Sequence, residues 1–215
     1  MNEGKVSAGV RLNVLLVESG LLPVDEALER RFEEYLSLVL RWNGRVNLTA
    51  IRDEEGILAR HFVESIACAR ALPAGIATLL DFGSGAGFPG IPIALCRPEI
   101  AVTLAESQGK KAAFLNEAVR VLGIGTTIHS GRAEALATQF DCVTMRAVDK
   151  MERAVGAAGQ LVRPGGWLGL ITTRTELDGL KAAAGAEFGW PDVLPQPVGD
   201  GRVLALGERE ISLPA

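Results

Sequence analysis

The chain has 215 residues, of which 48% are hydrophobic and 22% are charged, and its formal net charge is -4 at pH 7. A chain of this length and composition can bury a hydrophobic core without disulfides, which excludes disorder throughout. The acidic balance excludes a strongly basic nucleic-acid coat protein, although a local basic patch remains compatible with it.

The cysteines and histidines are too few and too widely spaced in the sequence to form a metal site or a disulfide framework. The three cysteines contain no CxxC spacing, and the two histidines, His61 and His129, lie far apart. We therefore expect no disulfide framework and no metal. No apolar run reaches about 18 residues, and the N-terminus lacks the apolar segment of a signal peptide. A cytoplasmic protein without a membrane segment is expected.

The first 72 residues are expected to form a helical extension packed on a larger domain. Between Pro23 and Trp42, apolar residues such as Phe32 and Leu36 recur at helical spacing, with acidic and basic residues mostly elsewhere. Asp53 is a good N-cap residue and predicts the start of another helix.

The pattern changes near residue 76, where short apolar segments begin to alternate with helical ones. Helices are predicted over 110–122 and 151–161. Residues 187–194 are predicted to form a strand, and Pro191 within it argues against a central position in the sheet. Such alternation indicates βαβ units and an α/β fold with a parallel sheet over residues 73–215. The other predicted strands are 76–82, 101–105, 126–129, 141–145, 167–172 and 202–206.

The most informative segment is the glycine-rich turn that follows the first predicted strand. The sequence Leu79–Gly90 reads LLDFGSGAGFPG, an apolar strand running into Gly-x-Gly-x-Gly. Glycines there let a ligand approach the backbone closely, and the carboxyl end of a strand is a ligand site in open α/β sheets. The segment predicts a turn that binds a nucleotide-like cofactor.

Two acidic residues bear on which cofactor this turn would hold. Asp81 lies two residues before the first glycine of the turn. We expect its carboxylate to lie near the ammonium group of S-adenosylmethionine and to repel the pyrophosphate of a dinucleotide. Glu106 ends the next predicted strand, where a carboxylate can accept both ribose hydroxyls of any adenosine cofactor. S-adenosylmethionine is favoured, with NAD and a purely structural turn as the alternatives.

Several further motifs accompany this turn in the order found in one known family. They are WNGRVNLTAI at 42–51, RHFVES at 60–65, DFGSGAGFPGIP at 81–92, ESQGKK at 106–111, GRAE at 131–134 and TMRA at 144–147. Over roughly residues 40–171, the chain resembles the bacterial 16S ribosomal RNA guanine-N7 methyltransferases, also called glucose-inhibited division protein B. The resemblance implies a class I S-adenosylmethionine-dependent methyltransferase fold, Rossmann-like, with seven strands of which the last is antiparallel.

The resemblance also implies roles for individual residues. Arg146, at the end of the fourth strand, would orient the target base or its phosphate, or bind the methionine end of the cofactor, and is our candidate catalytic residue. The expected cofactor-binding residues are Asp81, Gly83, Ser84, Gly85, Gly87, Phe88, Glu106, Ser107, Ala133, Glu134 and Arg146. From the residues themselves, the candidate RNA contacts are Asn43, Arg45, Asn47, His61, Lys110 and Lys111, with Arg11, Arg41, Arg52, Arg60 and Arg132 as further cations. Asn43 and Asn47 could equally cap backbone groups, and His61 could be a half-buried, hydrogen-bonded ring.

The expected reaction is methyl transfer from S-adenosylmethionine to N7 of a guanine in 16S ribosomal RNA, free or within the small ribosomal subunit. Guanine N7 carries an in-plane lone pair and no proton, so its attack on the sulfonium methyl needs no general base. Positioning of the reactants should then carry the catalysis. A non-catalytic S-adenosylmethionine-binding ribosome-assembly factor and an NAD-dependent oxidoreductase remain alternatives. The sequence does not decide the oligomeric state, and a monomer is expected.

Overall fold

The computed structural model describes residues 6–148, 150–199 and 201–211. Its N-terminal part is helical, and each of the first three helices begins at a side chain that accepts a backbone N–H: Ser7, Asp25 and Asp53. Asp53 is the N-cap that the sequence predicted. The helices are α1 (Ala8–Glu18), α2 (Glu26–Asn43), α3 (Glu54–Ile57) and, after a π-helical stretch at Leu58–Val63, α4 (Glu64–Ala71).

The rest of the described chain forms a seven-stranded sheet in the order β3-β2-β1-β4-β5-β7-β6. The strands β1 to β5 pair in parallel, whereas β7 runs antiparallel to both β5 and β6. This confirms the predicted mostly parallel, seven-stranded sheet with an antiparallel last strand. The strands are β1 (Thr78–Phe82), β2 (Ala101–Ala105), β3 (Thr127–His129), β4 (Phe140–Arg146), β5 (Val162–Thr173), β6 (Phe188–Pro195) and β7 (Arg202–Arg209).

Helices cover both faces of the sheet. Leu79 and Leu80 are successive residues of β1 that point to opposite faces, and each belongs to a different hydrophobic cluster. The Leu79 cluster includes the N-terminal helices, and the Leu80 cluster includes the helices that follow β4. The helices of this part are α5 (Gly90–Cys96), α6 (Gly109–Leu122), α7 (Met151–Gln160) and α8 (Arg174–Ala184), with a 3-10 turn at Ala133–Ala135.

Sequence and structure differ most at the start of β5, and they agree on the edge position of β6. β5 begins at Val162 rather than at Trp167, because the Pro164-Gly165-Gly166 segment is taken into the strand. Next to this segment the pairing of β4 with β5 shifts register between Phe140 and Cys142. β6 is an edge strand whose register shifts around Pro191, in accord with its predicted position. None of the described helices is both long and apolar enough to cross a bilayer.

The helical extension packs against the glycine-rich turn through aromatic rings. Phe62 lies 5.7 Å from Phe32, 5.2 Å from Tyr35 and 5.2 Å from Phe88, measured between ring centroids. Phe88 is part of the turn, so the extension and the sheet domain share one apolar core. The sequence-based division at residue 72 stays a prediction.

Phe62 offers a test of how strongly this shared core stabilises the fold. Phe62→Ala should lower the free energy of unfolding by about 3–5 kcal/mol, because a fully buried ring is lost and a cavity remains. Urea unfolding measures the change. Leu22→Ala, at a side chain that is 79% exposed, should stay within about 0.5 kcal/mol of the parent chain. A similar loss in both variants would contradict the assignment of Phe62 to the core.

Candidate functional site

Two neighbouring cavities open where β1, β2 and β4 end. The first, which we call the β3-side cavity, has a volume of ≈ 400 Å³ and is bordered by residues 131–134 after β3. The second, the extension-side cavity, has a volume of ≈ 530 Å³ and is bordered by residues 48–51 of the extension. Gly83, Ser107, Gln108 and Val148 line both, so the two form one cleft at the carboxyl edge of the sheet.

The glycine-rich turn forms one wall of this cleft. Gly83 and Gly85 have φ angles of +71° and +57°, a conformation that favours glycine. A Cβ built on Gly85 would meet only the Gly83 carbonyl oxygen, at 3.9 Å, so the space above this residue is open. The turn therefore presents bare backbone to the cleft.

Glu106 ties the turn to the strand beside it. One of its carboxylate oxygens accepts the Gly85 N–H at 2.9 Å, and the other accepts the Gln108 N–H at 2.7 Å. The side chain is mostly buried and lines the extension-side cavity. Each oxygen has a second lone pair, so the carboxylate can still accept a hydroxyl group from a ligand. The Gln108 bond also places this negative charge at the start of α6, where Lys110 and Lys111 follow.

Asp81 lies elsewhere than the sequence suggested. Its carboxylate is 1% exposed and borders neither cavity. One oxygen accepts the Gly90 N–H at 3.2 Å and the other accepts the Thr144 hydroxyl at 3.1 Å. Burial raises the pKa of Asp81 to about 6. The residue joins β1, β4 and α5 beneath the turn, because its side chain points into the fold and not into the cleft.

Gly87 is also absent from the cavity walls. Its φ is +86°, and a Cβ there would lie 2.5 Å from Cδ1 of Ile91 and 2.8 Å from Oη of Tyr35. The Tyr35 hydroxyl donates a hydrogen bond to the neighbouring Ala86 carbonyl. Gly87 therefore lets the extension pack closely beneath the turn, and its contacts are with protein rather than with the cleft.

Arg146 ends β4 and reaches a buried carboxylate from the extension. Its Nη2 lies 3.2 Å from Oε2 of Glu64 and donates to the Arg60 carbonyl at 2.7 Å. Arg202, from the start of β7, donates to both oxygens of Glu64 at 2.7 Å and 3.2 Å. Burial lowers the pKa of Arg146 to about 10, so the guanidinium stays charged at neutral pH.

His61 is a neutral, hydrogen-bonded ring on the wall of the extension-side cavity. Its Nδ1 lies 2.7 Å from Nη2 of Arg146, and its Nε2 lies 2.6 Å from the Thr49 hydroxyl. Arginine can only donate, so Nδ1 accepts and the proton resides on Nε2. The ring stacks on Phe88 at 4.9 Å. Burial, followed by the charges of Arg146, Arg60 and Arg202, lowers the pKa of His61 to about 3.

The remaining candidate RNA contacts divide into two groups. Lys111 lines the extension-side cavity, whereas Arg45, Asn47 and Lys110 are exposed outside both cavities. Asn43 is buried and is committed to the loop that follows it. It accepts from the N–H groups of Leu48 and Thr49 and donates to the Ile51 carbonyl. Of the two roles that the sequence left open for Asn43, bonding to backbone groups is the one seen here, and the residues it bonds line one wall of the extension-side cavity.

The structure also brings in residues that the sequence did not single out. Glu64 and Arg202 are 138 positions apart yet form a two-pronged ion pair. Glu64 belongs to the RHFVES motif, which was a usable signal, whereas nothing in the sequence around Arg202 marked it. Among the expected cofactor residues, Ser84, Phe88 and Ser107 line the extension-side cavity, and Ala133 and Glu134 line the β3-side cavity. Within the described ranges, no group of His, Cys, Asp and Glu is arranged to hold a metal ion.

Comparison with known proteins gives a consistent result. A family model described as rRNA small subunit methyltransferase G matches residues 28–187. The ribosomal RNA small subunit methyltransferase G of Stenotrophomonas maltophilia (strain K279a) is 44% identical over 173 residues, covering 78% of this chain and 79% of that protein.

Solved structures with lower sequence identity share the fold. The mitomycin 7-O-methyltransferase MmcR has a TM-score of 0.61 at 16% identity and covers 96% of this chain and 74% of its own. The T. thermophilus 16S rRNA N2 G1207 methyltransferase, solved with AdoMet and guanosine, has a TM-score of 0.54 at 20% identity over 73% of this chain and 41% of its own. The architecture is therefore that of S-adenosylmethionine-dependent methyltransferases.

The protonation state of His61 can be measured directly. Its ring should stay neutral at pH 5, with the proton on Nε2, in ¹⁵N spectra assigned with the help of His61→Gln. Because the pKa is lowered from 6.5 to about 3, this residue contributes stability that is fully present above pH 6.5 and is lost as the pH falls toward 3. In the His61→Gln variant, the free energy of unfolding should no longer show the part of its decrease below pH 6.5 that comes from His61. A charged ring at pH 5 in the folded protein would contradict the assignment.

Proposed function

Because the chain belongs to the rRNA small subunit methyltransferase G family, we propose that it transfers a methyl group from S-adenosylmethionine to N7 of a guanine in 16S ribosomal RNA. The observation that carries the proposal is the cleft itself. Bare glycine backbone, a carboxylate at the end of the next strand and a cluster of arginines border one continuous space. The glycine turn, Glu106, Arg60 and Arg146 lie within the matched region, and Arg202 lies beyond its end.

The residues of the cleft fit the cofactor. The glycine turn, with its open space above Gly85, would hold the methionine end, and Glu106 would accept the ribose hydroxyls. Ser107, Ala133 and Glu134 border the β3-side cavity, which would hold its adenine. Ser84 and Phe88 line the extension-side cavity and would complete the wall around the cofactor. Asp81 and Gly87 act from beneath the turn, as positioning residues that hold its shape.

The chemistry asks little of the side chains beyond positioning. S-adenosylmethionine supplies a methyl group made electrophilic by its sulfonium sulfur. Guanine N7 attacks with a lone pair, so no proton has to be removed. His61 accords with this, since both of its ring nitrogens are engaged and its low pKa keeps it neutral. The chain holds the two reactants in line, a contribution that can reach about 7–11 kcal/mol in favourable cases.

The site by itself does not separate this function from that of an NAD-dependent oxidoreductase, because Glu106 can accept the ribose hydroxyls of either cofactor. The sequence argument that Asp81 repels a pyrophosphate does not hold, because that carboxylate is buried and bonded within the fold. Family membership decides against this alternative instead. Action in the cytoplasm, on the small subunit or its RNA, and the division into a 1–72 extension and a 73–215 catalytic domain belong to the same proposal.

The proposal is tested on the RNA itself. Small ribosomal subunits from cells lacking this protein should accept a labelled methyl group from S-adenosylmethionine in the presence of the purified chain. Mass mapping should place that group at N7 of one guanine of the 16S RNA. Bound cofactor without any methyl transfer to subunits or to free 16S RNA would favour the non-catalytic assembly factor.

Glu106 provides a more specific prediction about the cofactor. Glu106→Gln should weaken S-adenosylmethionine binding about 10- to 100-fold, because hydrogen bonds to a charged group are worth about 1.5–3 kcal/mol and its Gly85 and Gln108 bonds are also disturbed. Calorimetry measures the dissociation constant. Glu99→Gln makes the same chemical change at an exposed side chain outside the cleft and should leave binding unchanged. Equal affinities for the two variants would remove the role of Glu106.

A further inference from the structure

Glu64 gathers three arginines from different parts of the fold. Its carboxylate is fully buried and lies 3.3 Å from Nε of Arg60, 3.2 Å from Nη2 of Arg146 and 2.7 Å from Nε of Arg202. Arg60 comes from the extension, Arg146 from the end of β4 and Arg202 from the start of β7. We call these four residues the Glu64 cluster.

The Glu64 cluster carries a net positive charge. Three guanidinium groups meet one carboxylate, which leaves two positive charges in a chain whose overall charge is -4. Asp81 also acts on Arg146, but its oxygens are bonded to Gly90 and Thr144. An excess of like charge at a mostly buried position is costly unless an anion compensates it.

Two donors of the Glu64 cluster are buried without a hydrogen bond within the described part of the chain: Nη1 of Arg146 and Nε of Arg60, which has only its ion-pair contact with Glu64. The side chain of Arg146 is 6% exposed. Arg146 lines the extension-side cavity, as do Arg60 and Arg202. A buried guanidinium N–H without an acceptor, on the wall of a cavity, points to a ligand oxygen.

The Glu64 cluster extends from the interior to the surface. The exposed fraction of the side chains rises from 0% for Glu64 and 6% for Arg146 to 16% for Arg202 and 40% for Arg60. Lys111 adds a cation from the first turn of α6 on the same cavity. The acidic side chain that lines this cavity, Glu106, is already bonded to two backbone N–H groups.

We propose that the Glu64 cluster binds one phosphodiester group of the RNA that this chain methylates, next to the target nucleotide. Guanidinium groups suit phosphate oxygens because they offer paired N–H donors in a fixed plane. Glu64 holds the three planes in place before the RNA arrives. The inference rests on the proposed function, since it takes ribosomal RNA as the partner.

A phosphodiester is favoured over the carboxylate of the cofactor by position. The cofactor is expected over the glycine turn, and neither Arg60 nor Arg202 touches that turn through a hydrogen bond or ion pair among the described residues. Arg60 instead stands at the exposed mouth of the cavity, where a macromolecule approaches. Because the chain as a whole is negatively charged, its attraction to a polyanion such as RNA depends on local positive patches such as this cluster.

The test measures binding to undermethylated small ribosomal subunits, with S-adenosylhomocysteine present, as a function of salt. Arg202→Gln should weaken binding about 10-fold and lower the slope of log affinity against log salt by about 0.7, the value for one phosphate contact on a single strand. Arg202→Lys should recover part of the slope. Arg60→Gln removes an exposed member of the cluster and serves where Arg202→Gln fails to fold.

Arg209→Gln is the matched control. Arg209 lies at the other end of β7 and binds backbone carbonyls, so the variant removes the same charge without touching the cavity. It should bind subunits as the parent does, and cofactor affinity without RNA should be unchanged in all variants. Unchanged subunit binding in both the Arg202 and the Arg60 variant would overturn the proposal. So would a loss of S-adenosylhomocysteine binding without RNA, which would assign the cluster to the cofactor carboxylate.

The same experiment separates this inference from the proposed function. Methyl transfer by the parent chain to the same subunits tests the function. Salt-dependent binding that weakens in the Arg202 and Arg60 variants tests the anion site, whether or not methyl transfer occurs. If the parent chain transfers no methyl group but the variants bind subunits more weakly than it does, the function is refuted and the anion site is supported. If the parent transfers the methyl group and the variants bind as it does, the function is supported and the anion site is refuted.

Discussion

The two hydrogen bonds accepted by the buried Asp81 carboxylate hold the cleft in shape. They connect the end of β1 to Thr144 on β4 and to the first N–H of α5, so the glycine-rich turn is fixed at both ends. Tyr35, from the extension, then holds the turn through its hydrogen bond to the Ala86 carbonyl and its ring contact with Phe88. The turn can expose its backbone to a ligand because side chains behind it supply the rigidity that glycine lacks.

A second buried carboxylate organises the opposite wall. Glu64 lies in the helical extension but binds arginines from β4 and β7, so the extension-side cavity is complete only with the extension docked on the sheet. The extension is thus part of the site and not only a covering helix layer. It also contributes His61, whose neutral ring packs on Phe88 and accepts a hydrogen bond from Arg146.

Much of the fold could be predicted because its signals are local. β2 coincides with the predicted strand, and Asp53 caps the predicted helix, since hydrophobic period and capping chemistry are read over a few residues. The start of β5 was missed because a Pro-Gly-Gly segment ordinarily signals a turn. Here Val162 pairs with Phe140 before that segment, the register with β4 shifts across it, and pairing resumes at Trp167. The cavity-lining glycines and Glu106 were found for the same local reason: they follow directly on strand ends.

The direction in which a side chain points is not a local property. Motifs and strand ends identified which segments meet at the cleft, because parallel strands place their carboxyl ends at one edge. They did not show that Asp81 faces inward or that Arg202 joins Glu64 across 138 positions, and they left open whether Asn43 bonds to backbone groups or contacts RNA. Those outcomes depend on packing and on the pairing of buried charges, which are set only when distant elements come together.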